Sequence, residues 1–267
     1  MARTESEWWG QVWELYRNNL RISLSFAILL VFVFFFQQFN NTALLDGTIF
    51  FDYSFSLLSV EVVAALVGGS LVFLAMYAIL LSLLLLAVRN DLSHVPVKRY
   101  LRDMMEHFFL TMFIYFVLLS LLFVLVVSAG LFLGLDIVWI NLALFLVSLS
   151  FIFVPQSLVV DEKPIIEAIK TNWYVIFKYP KDFLLILVVS TLLVGLLPLV
   201  EAGIDSILFV GRYITLVLMF VLVIPFIEIL KTILYMRRFE LVRGHEYASR
   251  HHAGLRGHLM TKIEHSD

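Results

Sequence analysis

The sequence predicts an all-α integral membrane protein, a helical bundle of six transmembrane helices with amphipathic interfacial helices before spans one, three and five. Three observations lead there: the composition, the length of the apolar runs and the placement of the basic residues. Hydrophobic residues make up 61% of the chain and charged ones 15%, with mean hydropathy +0.96. Soluble domains sit near half apolar and a quarter charged, so this balance points at lipid. Cysteine is absent, which excludes disulfides, iron–sulfur clusters, thiolate metal sites and cysteine nucleophiles.

Stretches free of Asp, Glu, Lys and Arg cover Ile22–Phe39, Val62–Val88, Phe108–Leu135, Ile137–Val160, Phe183–Val200 and Tyr213–Ile227. A helix needs ~20 apolar residues to cross a hydrocarbon core of ~30 Å. Residues 108–160 are too many for one crossing, and Gly134-Leu135-Asp136 divides them into a hairpin. The spans are thus placed at about 22–39, 62–88, 108–133, 137–160, 183–200 and 213–235, within a membrane domain of 1–235. Residues 236–267 form a basic, His-containing tail.

Six spans put every Lys and Arg except Arg212 on the side that carries both termini. Basic residues collect on the cytoplasmic side of membrane proteins, so both ends are expected in the cytoplasm of a cell-membrane protein. A five-span alternative drops the first run and places Arg3, Arg17 and Arg21 outside. A cleaved signal peptide is not expected, because the amino end is acidic and no small-x-small site follows Phe36.

Each odd span follows a stretch with helical apolar spacing. Trp9, Val12, Trp13, Tyr16 and Leu20 share a face before span one, opposite Gln11, Glu14 and Asn18. Val97, Tyr100, Leu101, Met104, Met105 and Phe108 do so before span three. Before span five the face is Ile165, Ile166, Ile169, Trp173, Ile176 and Phe177, opposite Glu167, Lys170 and Lys178. Pro164 suits the start of this last helix, and Tyr179-Pro180 ends it. Such helices lie in the headgroup layer, with lysines toward phosphates. They are topological anchors, or a collar for anionic lipid or a protein partner; Trp9, Trp13, Tyr100, Lys170, Trp173 and Lys178 are the candidate contacts.

The segment Val154-Pro155-Gln156-Ser157-Leu158-Val159-Val160-Asp161-Glu162, then Ile166-Glu167-Ala168-Ile169 and Trp173, carries a resemblance. It resembles the membrane domain attached to some glycerophosphodiester phosphodiesterases and its stand-alone bacterial and archaeal relatives of unknown function. That family has a proline-bearing span, an acidic pair and an Ala- and Trp-containing amphipathic helix leading into the next span. Asn172 stands where the family often has Ser, and Pro164 where Gly is common. The resemblance implies a fold and no activity, since the phosphodiesterase domain is not in this sequence.

Few residues promise chemistry. Glu228 and Lys231 form a candidate intramembrane pair at i,i+3, one turn apart in Pro225-Phe-Ile-Glu-Ile-Leu-Lys231. Counting along the helix puts them near the cytoplasmic interface, where Lys231 can snorkel. The pair is structural, or it gates or binds something. Asn141 is expected to hydrogen-bond between helices, Glu61 to be solvated, and Ala64, Ala65, Gly68, Gly69, Gly130 and Gly134 to permit close packing. Asn40-Asn41-Thr42 is a glycosylation triplet.

All histidines fall on the cytoplasmic side, and His251, His258 and His265 recur at intervals of seven. Residues two helical turns apart are ~10 Å apart, too far to share one zinc with bonds of ~2 Å. The tail therefore reads as a pH-responsive basic segment near anionic headgroups rather than a metal site. No HExxH, phosphate-binding loop, GxSxG or intramembrane aspartate pair is present. No catalytic residue, metal, cofactor or nucleic-acid partner is expected. The function expected is that of a non-enzymatic scaffold, assembly or lipid/partner-associated subunit; the alternative is a transporter or permease for a lipid-like or apolar substrate.

Overall fold

The computed structural model describes residues 5–37, 42–45, 48–51, 59–93, 101–208 and 210–238. Tyr100, Asn40, Asn41 and the histidines of the tail lie outside them. The described helices are α1 (Glu5–Asn18), α2 (Leu20–Ser25), α3 (Leu30–Gln37), α4 (Val60–Ser93), α5 (Leu101–Phe132), α6 (Ile137–Leu149), α7 (Val154–Val160), α8 (Ile165–Lys178), α9 (Pro180–Leu208), α10 (Gly211–Leu218) and α11 (Ile224–Arg238). Six stretches are long and apolar enough to cross a bilayer: Leu20–Gln37, Val60–Ser93, Phe108–Phe132, Ile137–Val160, Pro180–Ile207 and Gly211–Arg238. The protein is a multi-pass helical membrane protein. Thr42–Leu45 and Thr48–Phe51 pair as a short antiparallel ribbon between the first two spans.

Packing separates a centre from a periphery. The second and sixth spans have 44% of their apolar window buried, against 17% for the third, fourth and fifth. One apolar cluster joins α1, the first span, α4, Val175 of α8, α9, α10 and α11; another joins α4, α5, α7 and Ala168 of α8. Phe153 and Val160, at the two ends of α7, belong to the first, so α4 and α7 knit the two together. Lipid tails are as apolar as these side chains, so close fit and internal polar bonds hold such a bundle, not escape from water.

Three spans are not uniform helices. The first carries a 3-10 turn at Phe26–Leu29. The fourth breaks between α6 and α7, where residues 150–153 leave the α-helical ladder and Pro155 opens the second half. The sixth contains a π turn, Met219–Val223, between α10 and α11.

The turn between spans three and four ends α5 as a Schellman motif. Leu135 N–H donates to Gly130 O and Gly134 N–H to Leu131 O, each at 3.0 Å, with Gly134 at φ +65°. Gly130 also lets Ile140 of α6 close in: a Cβ there would sit 2.6 Å from Ile140 Cγ1. Asn141, expected to bond between helices, is exposed and its side chain makes no hydrogen bond among the described residues, because α6 presents Ile140 to its neighbour instead. Glu61, at the start of α4, is exposed as expected.

Two interfacial expectations change. Ahead of span three, the residues from Leu101 onward continue into the spanning helix without interruption, since no Gly or Pro intervenes to break the ladder. The face of α1 is also rotated from the one read in the sequence. Val12, Leu15, Tyr16 and Asn19 are buried, while Trp9 and Trp13 stay half exposed. Contact with α11 explains the rotation: Trp9 stacks on Phe226 at 6.4 Å, and Tyr16 meets the same ring.

Candidate functional site

Gln156 and Ser157 of α7 and Glu228, Lys231 and Thr232 of α11 form one cluster of polar residues buried within the spans. Glu228 and Lys231, 8% and 6% exposed, lie 2.6 Å apart through Oε1 and Nζ. The other carboxylate oxygen accepts a 2.8 Å hydrogen bond from Gln156 Nε2 of α7. Thr232 Oγ1 donates to Glu228 O at 2.7 Å. Counting along the sequence places this pair near the cytoplasmic interface, where Lys231 can snorkel. In the structure both side chains are enclosed by protein, and Gln156 of α7 supplies the extra hydrogen bond that a buried carboxylate needs.

Tyr235, seven residues beyond Glu228, donates at 2.6 Å to Asp161 Oδ2 at the end of α7. At ~1.5 Å per residue, Glu228 lies about 10 Å and Lys231 about 6 Å back along α11 from that contact. Asp161 also pairs with Lys163 at 2.9 Å, and Lys163 donates to Thr171 of α8 at 3.0 Å. Arg89 of α4 donates to Val159 O and to Glu162, each at 2.9 Å. Glu162 has φ 57°, a left-handed backbone that costs a non-glycine residue energy and marks a joint between α7 and α8.

The irregular stretches of spans four and six each take a side-chain hydrogen bond from a helix outside the spans. Asn172 of α8, fully buried, accepts from Phe153 N–H at 2.7 Å and donates to Ser150 O at 2.6 Å. It therefore stands in for the helical hydrogen bonds that the break in span four removes. Tyr16 of α1 donates at 3.1 Å to Val221 O, inside the π turn of span six. Irregular backbone inside a membrane persists where such partners satisfy it. Sequence reading misses Gln156, Asn172 and Tyr16 in these roles. Asn172 could have been found, since it lies with Ala168 and Val175 on the buried stripe of α8 at i, i+4 and i+7.

The polar inventory is not fully paired. Gln156 Oε1 and Ser82 Oγ are buried with no hydrogen-bond partner among the described residues. Ser82 lies on the stripe of α4, between Ala78 and Leu85, whose flanking residues share a cluster with Val154 and Leu158 of α7. The expected surface contacts sit apart from this cluster. Lys170, Trp173 and Lys178 lie on the outer side of α8, with Trp173 stacked on Phe177 at 5.6 Å. Lys178 donates to Tyr174 Oη and lies 4.7 Å from that ring, which raises its pKa above the ordinary lysine value.

A second polar knot fastens the opposite end. Glu201, in sequence one more acid at the outer end of a span, is buried and accepts from Thr215 Oγ1 at 2.9 Å. Asp205 Oδ1 accepts from Gly211 N–H at 2.6 Å, and α9 and α10 approach so closely that a Cβ on Gly211 would meet Glu201 O at 2.5 Å. Comparison with family models, curated proteins and solved structures finds no match to this chain.

Proposed function

We propose that the protein is a non-enzymatic component of the cell membrane, a scaffold, assembly or lipid-associated subunit, with both termini in the cytoplasm and α8 seated in anionic headgroups. The observation that carries this is the outward side of α8. Ile166, Trp173, Tyr174 and Phe177 are all exposed there, and Lys170 and Lys178 are exposed on the same helix. Water is a poor medium for that face; a headgroup layer suits its rings and its lysines together. The basic asymmetry supports the orientation, and the absence of known catalytic motifs supports a non-enzymatic role. The resemblance of residues 154–173 to the phosphodiesterase-associated membrane domain belongs to the same proposal and adds no activity.

A second reading, a permease for a lipid-like or apolar substrate, is favoured by one feature. Spans four and six are both discontinuous beside a buried ion pair, an arrangement that transporters use around a substrate site.

Fluorescence of a variant whose only tryptophan is Trp173 tests the first reading in liposomes. Strong quenching by shallow lipid-attached quenchers and weak quenching by iodide is expected; full iodide access overturns it. Mass spectrometry of the protein extracted in native lipid separates the two readings. A stoichiometric protein partner supports the subunit, whereas a retained amphiphile supports the permease.

A further inference from the structure

We infer that α8 is a membrane-sensing clamp, whose seating on anionic headgroups holds span four closed around Gln156 and Glu228, while Tyr16 of α1 fastens the π turn of span six. This inference rests on the lipid-facing reading of α8.

Four observations combine. First, α7 is a seven-residue rod with a joint at each end, the break at residues 150–153 and the left-handed Glu162. Second, each discontinuity is bridged by a surface helix: Asn172 of α8 at span four and Tyr16 of α1 at span six. Third, the two half-helices beyond those discontinuities, α7 and α11, are joined by Gln156 Nε2 and Glu228 Oε2 at 2.8 Å. Fourth, Gln156 Oε1 and Ser82 Oγ have no partner among the described residues in this closed arrangement, so the closed state leaves polar capacity that a displaced α7 can satisfy.

The route is short and physical. Asn172 bonds both edges of the break directly, and its neighbour Trp173 faces outward with 40% exposure. Lifting α8 off the surface pulls Asn172 from Phe153 N–H and Ser150 O. The backbone of span four then loses its substitute ladder, and α7 is freed to turn about Glu162. Gln156 leaves Glu228 as it does so. The two-state element is therefore the spliced or unspliced break, and both the headgroup layer and the ion pair bias it.

The native chain has no cysteine, so one thiol reports cleanly. Ser82→Cys places it on the buried stripe of α4 against α7. Its alkylation rate is measured in nanodiscs of phosphatidylglycerol and of phosphatidylcholine, alongside quenching of Trp173 in the same discs. Slow alkylation is expected in phosphatidylglycerol and about tenfold faster alkylation in phosphatidylcholine, as for a local opening. Asn172→Leu is expected to give the fast rate in both lipids while Trp173 still seats. Tyr16→Phe, which removes only the hydroxyl at the other bridge, is expected to raise the rate partway and serves if the leucine variant does not fold. Trp173 that seats selectively while the introduced thiol reacts at one rate in all variants and lipids overturns the clamp and leaves the lipid reading intact. Trp173 indifferent to lipid charge overturns both.

Discussion

Gln156 and Glu228, 72 positions apart, meet at 2.8 Å and join the second half of span four to the second half of span six. Glu228 thereby holds two partners, Lys231 on its own helix and Gln156 across the interface. A buried charge left without its partner costs about 3–5 kcal/mol, so each partner matters for whichever charge remains when the other is removed.

Lys231→Met is accordingly expected to be the most damaging change in this cluster. It strands a carboxylate with only Gln156, at a cost of about 3 kcal/mol. Glu228→Gln/Lys231→Met leaves two amides facing each other and is expected to lie close to the native protein. Thermal unfolding in detergent ranks them. A double variant as unstable as Lys231→Met counts against this account, and a stable one that has lost its cellular function favours the gating role over the structural one.

Two glycines in spans are expected to behave oppositely. A Cβ on Gly211 meets the backbone oxygen of Glu201 at 2.5 Å, and backbone cannot swing aside. Gly211→Ala is expected to destabilise by about 1–3 kcal/mol through overpacking. Gly68 has nothing within 4 Å of its would-be Cβ. Gly68→Ala is expected to be neutral or to stabilise by up to about 1 kcal/mol through helix propensity. Melting temperatures of the two in the same detergent decide the matter.

Orientation is checked with single cysteines and an impermeant thiol reagent applied outside cells. Thr48→Cys, Asp136→Cys and Ser206→Cys are expected to react, and Ser6→Cys and Ser93→Cys to stay protected. Labelling of Ser6→Cys favours the five-span arrangement.

The lysine of α8 nearest the aromatic cluster carries a pH expectation. Tyr174 accepts a hydrogen bond from Lys178 and raises its pKa, which favours the charged form. A raised lysine pKa means that the charge is present at neutral pH and persists as pH rises past the usual lysine range. Attraction of this protein to anionic vesicles is therefore expected to stay flat through mildly alkaline pH, as far as Lys178 contributes. Lys178→Gln is expected to weaken that attraction at low salt, with the difference fading as salt screens the surface. Vesicle co-flotation across pH and salt checks both.

The spans were legible because hydropathy is a sum over many residues, and no single neighbour alters it. What the sequence concealed depends on pairwise geometry. The run Ile137–Val160 has no charge to mark its break, and Pro155 alone does not say whether a span kinks or divides. Asn172 reads as one polar residue on a surface helix until its partners, Ser150 and Phe153, are brought beside it. Glu201 gives no sign of its burial, since the Thr215 that covers it arrives on the returning helix. The rotation of α1 comes from the aromatic ring of Phe226, near the other end of the described chain.

The Schellman turn at Gly134 bears on how the chain enters the bilayer. So short a link gives span four no room to wait in the aqueous phase while span three settles, so the two are bound to insert together. Between residues 108 and 160 the only Asp, Glu, Lys or Arg is Asp136, at the tip. Inserting the hairpin from either side therefore carries at most this one acidic residue across hydrocarbon, and the left-handed glycine keeps the two spans together as a unit.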